Sequence, residues 1–293
     1  MGRPPETTGA RALWTLVEPC HAVTYFAPEA RATLRDCGIR RFWDGYFAAR
    51  AAPLGMVSAG TVTATFFGFA PAMVQLSVPA VWQLSTPADL LEARAAAAAA
   101  ALERVLRPVV AERRIEEAAG LLARAARTGS PSGRPLFAAN LELPIEATPA
   151  RRLWQAATLL REYRGDGHVA LLVGAGLDGC AAHVLRAGGS PAERAQLQPN
   201  RGWSDEQWTS AELALVERGW LDEDGALTAA GTEQRRQLEA GTDELALTQL
   251  RALDDDELAR LVELVTPMAE ALTELVPYPN PMGAPRPSGA RLS

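Results

Sequence analysis

The strongest restriction on the fold comes from an ordered set of similar segments that recurs about 140 residues apart. ARALW at 10–14 precedes ARRLW at 150–154, and the Ala-rich segment that begins at Thr86 has its counterpart in the segment that begins at Thr228. Few residues are identical, but the order of the segments is kept and the offset is nearly constant. The chain is therefore predicted to contain two similar lobes that arose by duplication, comparable to a two-fold homodimer joined into one polypeptide.

Both lobes are predicted to be mainly α-helical, because Ala, Leu, Arg and Glu dominate and apolar residues recur at helical spacing. Pro, Gly and Ser mark a connector between the lobes. The predicted division is a degenerate, winged helix-like N-terminal lobe at 10–128, a connector at 129–149, a C-terminal winged-helix lobe at 150–276 and an irregular tail at 277–293. A chain of 293 residues is long enough for two cores of ordinary size.

The segment from Ser204 to Gly219 has the signals of one amphipathic helix. Ser204 followed by Gln207 is typical of an N-terminal capping box, and Gly219 suits the C-terminal end. The apolar residues recur at helical spacing and are expected to face the core. They are Trp208, Ala211, Leu215 and Val216.

The next segment, WLDEDGALT at 220–228, predicts a short β-hairpin, since apolar residues flank an Asp-Gly turn. Thr228 is placed to cap the helix that follows. A helix, a hairpin and a second helix in this order indicate a winged helix-turn-helix. The first lobe has MVQLSVPAVWQLSTP at 73–87 in the corresponding place and is expected to lack the hairpin.

Two resemblances follow from these segments. LVERGWLDEDGALTAAGTEQR at 215–235 resembles the end of the recognition helix, the wing and the following helix of MarR-type regulators. With YFAARAAPLG, EYRGDGHVALL and NPMG included, nearly the whole chain resembles the SalK-like actinobacterial proteins, which carry a predicted C-terminal winged helix. The MarR-type resemblance implies a ligand-responsive DNA binder, typically a homodimer, with a ligand pocket between the dimerisation helices and the winged lobes. Neither resemblance names an activity.

The charge of the second lobe argues against DNA as its ligand. Between Ser204 and Asp256 there are 14 acidic and 4 basic residues, and the formal net charge of the whole chain is -6. The tip of the predicted wing is acidic at 222–224, where a DNA binder needs Arg or Lys. The corresponding helix region of the first lobe, at 57–75, has no charge and is expected to be buried. Sequence-specific DNA binding is therefore disfavoured, although it stays an alternative.

Residues 51–88 contain no charged side chain and require a membrane check. Four prolines interrupt this stretch and Thr and Ser dilute it, so we expect buried core rather than a membrane span. The N-terminal sequence MGRPPETTGARALW lacks the apolar region of a signal peptide. Three scattered Cys residues fit a reducing compartment, and the expected location is the cytoplasm.

Polar residues within apolar helices are the candidate site residues of the first lobe. Arg50 lies in an apolar run, so its guanidinium must either pair with a buried acid or anchor an anionic ligand, and Tyr46 is placed one turn earlier to share that contact. His21 and Tyr25 are also one helical turn apart, and they are candidates for acid/base catalysis. The alternative for His21 is a core histidine that is hydrogen-bonded to backbone.

In the second lobe, REYRGDGHVALL is the most polar island. Gly165 and Gly167 are expected to allow a sharp turn, and a helix that begins after Gly167 would direct its N-terminus toward an anion. Arg164 and Asp166 are candidate ligand-binding residues and His168 is a candidate catalytic residue, with Asp166 available to orient His168. The alternative is a turn between two helices in which Asp166 is a cap.

The leading functional hypothesis is a small-molecule-binding protein whose ligand lies in the groove between the lobes, with acid/base catalysis left open. The ligand is expected to be mostly apolar, with one anionic or polar handle. No metal-ligand spacing and no nucleotide-binding motif occurs, so no metal and no cofactor is predicted. The alternatives are a ligand-responsive transcriptional regulator that binds DNA and a partner-binding module with an acidic wing. The sequence leaves the oligomeric state open.

Overall fold

A computed structural model of the chain describes residues 7–280 and 286–287. Fourteen α-helices lie within this described part, which confirms the prediction of a mainly α-helical fold. They are α1 (Thr7–Phe26), α2 (Pro28–Asp36), α3 (Phe42–Ala51), α4 (Ala59–Phe66), α5 (Pro71–Gln75), α6 (Pro87–Leu106), α7 (Glu112–Ala126), α8 (Pro135–Leu141), α9 (Pro149–Gly174), α10 (Gly179–Ala187), α11 (Pro191–Arg201), α12 (Asp205–Glu217), α13 (Ala229–Leu250) and α14 (Asp255–Leu272).

Local sequence signals set several helix starts. The capping box predicted before α12 is confirmed: the hydroxyl of Ser204 accepts a hydrogen bond from the Gln207 backbone N–H at 3.2 Å, and the Gln207 side chain accepts one from the Ser204 N–H at 3.0 Å. Thr228 caps α13 as predicted, because its hydroxyl accepts a hydrogen bond from the Gly231 N–H at 3.0 Å. Of the four residues expected on the buried face of α12, three are buried and Val216 is partly buried.

The segment predicted as a β-hairpin forms a tight turn closed by few hydrogen bonds. Leu221 and Leu227 make one isolated antiparallel bridge, and the Asp222 N–H donates to the Ala226 carbonyl at 2.9 Å. Gly225 takes a φ of +80°, which favours glycine. No β-strand occurs within residues 7–280 and 286–287. The predicted arms are only a few residues long, and they stop at a single bridge instead of extending into a ladder.

Six long helices form the centre of the molecule: α1, α6, α7, α9, α13 and α14. Their apolar faces enclose a core in which Leu102, Leu122, Leu153 and Leu261 are fully buried. α7 packs against α9, and α14 packs against α1. The last long helix of each half of the chain therefore packs on the first long helix of the other half.

A smaller core lies on each side of this central bundle. On the N-terminal side, α3, α4 and α5 enclose the buried residues Phe47 and Phe66. On the C-terminal side, α10, α11 and α12 enclose Val184 and Trp208.

The two small cores also touch each other directly. The Nε2–H of His183 and the Nε1–H of Trp203 both donate to the carbonyl of Gly68, at 3.1 and 3.0 Å. At the same contact a Cβ on Gly179 would lie 2.2 Å from the carbonyl oxygen of Phe67, so only glycine fits there. This contact fixes one wall of the space between the two halves.

α9 is one continuous helix, so the predicted turn at Gly165 and the predicted helix start after Gly167 are wrong. Gly167 instead makes room for a side chain: a Cβ there would lie 2.6 Å from Nη1 of Arg134. The Arg134 guanidinium lies 3.7 Å from the centre of the Tyr163 ring and donates to the Tyr163 carbonyl. The glycine thus serves close packing, which the local sequence did not distinguish from a turn.

The stretch predicted as a connector, 129–149, contains the helix α8. The backbone N–H of Phe137 in α8 donates a hydrogen bond to the Asp166 carboxylate at 2.8 Å. Part of the tail predicted as irregular, 277–293, is described and contains no helix. Asn280 in this tail is buried, and its carbonyl accepts a hydrogen bond from the Gln196 side chain at 2.8 Å. Residues 281–285 and 288–293 lie outside the described part.

The uncharged stretch 51–88 has more exposed than buried residues. Val62 and Phe66 on α4 face the small N-terminal core as expected, but Met56 and Leu76 are more than 60% exposed, so the stretch contributes to the core only in part. Within the described residues, no single helix is long and apolar enough to cross a membrane. The pair α9 and α10 reaches that length and composition only when both are counted together across a bend of 95°.

Candidate functional site

A cavity of about 690 Å³, here called the central cavity, lies where α1, α3, α9, α10 and α13 meet the loop at 67–69. Apolar side chains form part of its wall, among them Phe66, Phe69, Val169 and Leu172. Seven arginines also line it: Arg11, Arg50, Arg161, Arg164, Arg186, Arg201 and Arg235. Both halves of the chain contribute residues to the wall of this cavity.

The charge of the cavity wall is predominantly positive. Three acidic side chains, Glu18, Asp166 and Glu239, line the cavity beside the seven arginines. Burial raises the pKa of Glu18, although Arg161 opposes the shift. An excess of arginine in a concave wall attracts anions, and Glu162 and Asp243 next to the wall offset part of this charge. This excess stands against the net negative charge of the chain as a whole.

Arg50 is paired with an acid that the sequence did not indicate. Its guanidinium donates to the Glu162 carboxylate at 3.0 and 2.8 Å, and its Nη1–H donates to the Tyr46 hydroxyl at 3.2 Å. Arg161 donates to Glu162 at 2.8 Å and to Glu18 at 3.2 Å. Burial opposes ionisation of Glu162, but the two arginines hold the pKa of that carboxyl well below its usual range. Both of the alternatives set out for Arg50 therefore stay relevant, since it is paired and also lines the cavity.

Arg164 lies beside the same cavity on α9. Its Nη2–H donates to Asp243 at 2.9 Å, and Arg11 donates to the other oxygen of Asp243 at 2.8 Å. The guanidinium lies 4.4 Å from the centre of the Trp14 ring. Nε of Arg164 is buried and has no hydrogen-bond partner within the described residues. Arg164 thus retains one donor while its charge is shared with Asp243.

His168 lines the central cavity and is held in one tautomer. The Thr242 hydroxyl donates to the Leu238 carbonyl at 2.6 Å, so its oxygen can only accept from Nδ1–H of His168, 2.8 Å away. Burial lowers the pKa of His168. A neutral ring protonated at Nδ1 leaves Nε2 as a hydrogen-bond acceptor or base.

Asp166 does not orient His168, so that prediction is wrong. Its carboxylate accepts a hydrogen bond from the Phe137 N–H and so caps the N-terminal end of α8. Asp166 is therefore a cap, as in the alternative interpretation, but the helix that it caps is remote in sequence. Burial raises the pKa of Asp166 to about 6. Asp166 lines the central cavity as well.

His21 and Tyr25 form a hydrogen-bonded pair, but the central cavity is not lined by either of them. Thr158 donates to the Trp154 carbonyl at 2.9 Å, so its oxygen accepts from Nδ1–H of His21 at 2.9 Å. Nε2 of His21 then accepts from the Tyr25 hydroxyl at 3.0 Å. Burial lowers the pKa of His21 well below its usual value. Both side chains are buried, and their catalytic role stays a prediction.

Four residues of the cavity region were not among the predicted site residues: Glu18, Glu162, His183 and Arg201. Glu18 is an acid within an apolar helical stretch, the same signal that identified Arg50, and that signal could have found it. Glu162 lies in the polar island REYRGDGHVALL, where local sequence does not separate it from its charged neighbours. His183 lines the cavity, and burial lowers its pKa to about 3. Nothing in the local sequence placed His183 against Gly68, which lies 115 residues earlier.

The acidic surface predicted for α12 and the turn after it is exposed. Asp205, Glu206 and Glu217 on α12 are exposed, as are Asp222 to Asp224 at the tip of the turn. Such a surface repels the phosphate backbone of nucleic acids. No group of three or more His, Cys, Asp or Glu side chains in the described part is arranged to hold a metal ion.

Comparison with known proteins gives one result of consequence. A family model described as a helix-turn-helix family matches residues 10–279, which is nearly the whole chain. The comparison with curated proteins and the comparison with solved structures each found no match.

Proposed function

Because the chain belongs to this helix-turn-helix family, we propose that it is a small-molecule-binding protein that uses a helix-turn-helix scaffold to hold an anionic ligand in the central cavity. The observation that carries the proposal is the wall of that cavity, with seven arginines, three acids and several aromatic side chains. A volume of about 690 Å³ is within the range of ligand pockets. The ligand has an apolar body and at least one anionic group.

The scaffold is proposed to be a covalent pseudo-dimer of two winged helix-like lobes, 10–128 and 150–276, joined by the connector. The packing of α7 on α9 and of α14 on α1 supports this, since a two-fold arrangement makes each such contact twice. The tight turn after α12 corresponds to the wing of the MarR-type and SalK-like resemblance. A ligand site between the halves agrees with the pocket position that this resemblance implies.

His168 is the candidate base if the protein also performs acid/base chemistry. It is the member of the three predicted catalytic residues that lines the central cavity, and its Nε2 is free of a proton in the tautomer described above. His21 and Tyr25 would act only through the network of Thr158 and the helices around them.

DNA binding is the second candidate function, and the family match favours it. A regulator of this type needs a basic surface to approach phosphates. The exposed acids of α12 and of the turn that follows speak against direct binding by that surface. We therefore place ligand binding first and DNA binding second.

The ligand proposal is tested with a pair of dyes. Anilinonaphthalenesulfonate has an apolar body and one sulfonate, and phenylnaphthylamine has the same body without charge. We expect the anionic dye to bind more tightly to the folded protein, and metabolite anions to displace it. Equal affinities for the two dyes would argue against an anion site.

A matched pair of variants locates the dye. Arg235 is exposed and lines the central cavity, whereas Arg236 pairs with Glu233 at 2.6 Å and is not among the lining residues. Arg235→Gln is expected to weaken binding of the anionic dye by up to about fivefold, the range for an exposed charge. Arg236→Gln should leave the affinity unchanged. Identical effects of the two variants would place the dye elsewhere.

A further inference from the structure

Arg94 on α6 is a buried arginine that has no carboxylate partner within the described residues. Its Nη1–H donates to the Ala49 carbonyl at 3.0 Å, and its Nη2–H donates to the side-chain oxygen of Asn140 at 2.8 Å. Both acceptors are uncharged. Nε of Arg94 is buried and has no hydrogen-bond partner in the same described part. A buried guanidinium without a counter-charge is costly, and an anion would relieve that cost.

A second cavity, here called the Arg94 cavity, lies beside this guanidinium between α6, α9 and the segment 143–146. Its volume is about 390 Å³. Leu91, Leu143, Pro144 and Trp154 give the wall an apolar part. The volume and lining are those of a pocket for a small molecule with an apolar body.

The other charges in this wall are already paired with one another. Arg151 contacts the carboxylate of Glu92 and also donates to Glu146 at 3.4 Å. Neither acid forms a hydrogen bond or an ion pair with Arg94. Among the charged side chains that line the Arg94 cavity in the described part, Arg94 is the one that no opposite charge contacts, because Arg151 takes both Glu92 and Glu146.

The guanidinium of Arg94 is held in place before any ligand arrives. Asn140 is fixed by its own hydrogen bond to the Leu136 carbonyl at 2.8 Å. The guanidinium lies 5.3 Å from the centre of the Trp154 ring. Burial lowers the pKa of Arg94 to about 10, so the group is still cationic at neutral pH. A fixed cation with one unused donor is suited to bind a carboxylate with little loss of conformational entropy.

We propose that the Arg94 cavity binds a small monocarboxylate, with the carboxylate on the guanidinium of Arg94 and the apolar body against Leu91 and Trp154. One carboxylate matches the buried guanidinium that no acid contacts and its unpartnered Nε, and the apolar part of the wall matches a ring or a short hydrocarbon chain. This site is separate from the central cavity and does not depend on ligand binding there.

The test uses benzoate and its uncharged analogue benzamide as probes, with binding measured by titration calorimetry and ligand-observed NMR. Benzoate is expected to bind to the wild-type protein about ten- to a hundredfold more tightly than benzamide, the range for a charge-assisted hydrogen bond. Arg94→Gln should remove this preference. Arg104→Gln removes an arginine of the same helix that does not line the cavity, and the variant should keep the preference.

Arg94→Gln can also disturb folding, because Arg94 holds Ala49 and Asn140. Ala88 is an exposed residue that lines the Arg94 cavity, so Ala88→Trp obstructs the cavity without removing a buried contact. Ala88→Trp should abolish benzoate binding while the melting temperature stays close to that of the wild type. Equal affinities of benzoate and benzamide, or benzoate binding that survives Ala88→Trp, would overturn the proposal.

Discussion

Arg50 and Glu162 form a two-point salt bridge between α3 and α9. The side chains are 11% and 2% exposed, and the shorter of the two contacts is 2.8 Å. The bridge ties the small N-terminal core to the central bundle at the edge of the central cavity. The Arg50 guanidinium also lies 4.3 Å from the centre of the Phe66 ring, so both the ion pair and the contact with the ring fix the position of this side chain.

Arg50→Ala is expected to lower the free energy of unfolding by up to about 3 kcal/mol, the lower end of the range for a broken buried pair, because the buried Glu162 carboxylate keeps Arg161 as a partner. The measurement is chemical denaturation, with anilinonaphthalenesulfonate affinity measured on the folded protein. Since the donors of Arg50 are engaged by Glu162 and Tyr46, we expect the affinity to change little.

The double variant Arg50→Met with Glu162→Leu is the control. Replacing both members of a buried pair by apolar residues avoids the orphaned charge, so it should cost less than Arg50→Ala alone. A large loss of dye affinity with unchanged stability would instead make Arg50 a ligand anchor.

Titration of Asp166 should make the folded protein less stable as the pH rises. Its pKa in the folded protein is raised to about 6 by burial, above the usual value for an aspartate, so its contribution to stability is present below about pH 4 and is lost as the pH rises through about 6. The loss is at most about 3 kcal/mol. Asp166→Asn keeps an acceptor for the Phe137 N–H and should flatten the stability profile between pH 4 and 6. An unchanged slope in the variant would contradict this role.

Titration of His183 should make the folded protein less stable as the pH falls. Burial, together with the nearby Arg201 and Arg186, lowers its pKa to about 3, so its contribution is present above about pH 6.5 and is lost as the pH falls toward 3. Acid should therefore weaken the contact between the two small cores at Gly68. His183→Gln keeps a donor but cannot titrate, and it should reduce the acid sensitivity of unfolding. The variant should still lose some stability in acid, because burial also lowers the pKa values of His21 and His168.

The protein is expected to bind duplex DNA no more than weakly. Specific regulators reach dissociation constants of about 10⁻⁸ to 10⁻¹¹ M at physiological salt, and fluorescence anisotropy with a pool of duplexes covers that range. Because the acids at the tip of the turn repel phosphate, the charge reversal of Glu223 and Asp224 to Arg should raise affinity and steepen its dependence on salt. Tight binding by the wild-type protein would promote DNA binding above ligand binding.

The predictions that the structure confirms depend on short-range signals. The capping box at Ser204, the cap at Thr228 and the mainly helical fold follow from residues within a few positions of one another. The same short-range reasoning was wrong about Gly165 and Gly167. A glycine that opens a turn and a glycine that admits a remote arginine look alike in sequence, and only the position of Arg134 separates them.

The position of the candidate site residues was partly within reach of the sequence. Five candidate residues are polar side chains in apolar or Gly-flanked segments, and the structure brings all of them to the central cavity: Tyr46, Arg50, Arg164, Asp166 and His168. His21 and Tyr25 carry the same sequence signal, but they are buried in the core between helices.

The sequence by itself determined the helices, their caps and the acidity of the surface around α12, because these depend on nearby residues and on composition. The tertiary structure alone decided which charges meet. Glu162 lies 112 residues from Arg50, and Arg94 reaches no acid at all within the described part. Ion pairing and burial depend on how helices that are distant in sequence pack together, because desolvation and Coulomb attraction depend on distance in space and not on separation along the chain.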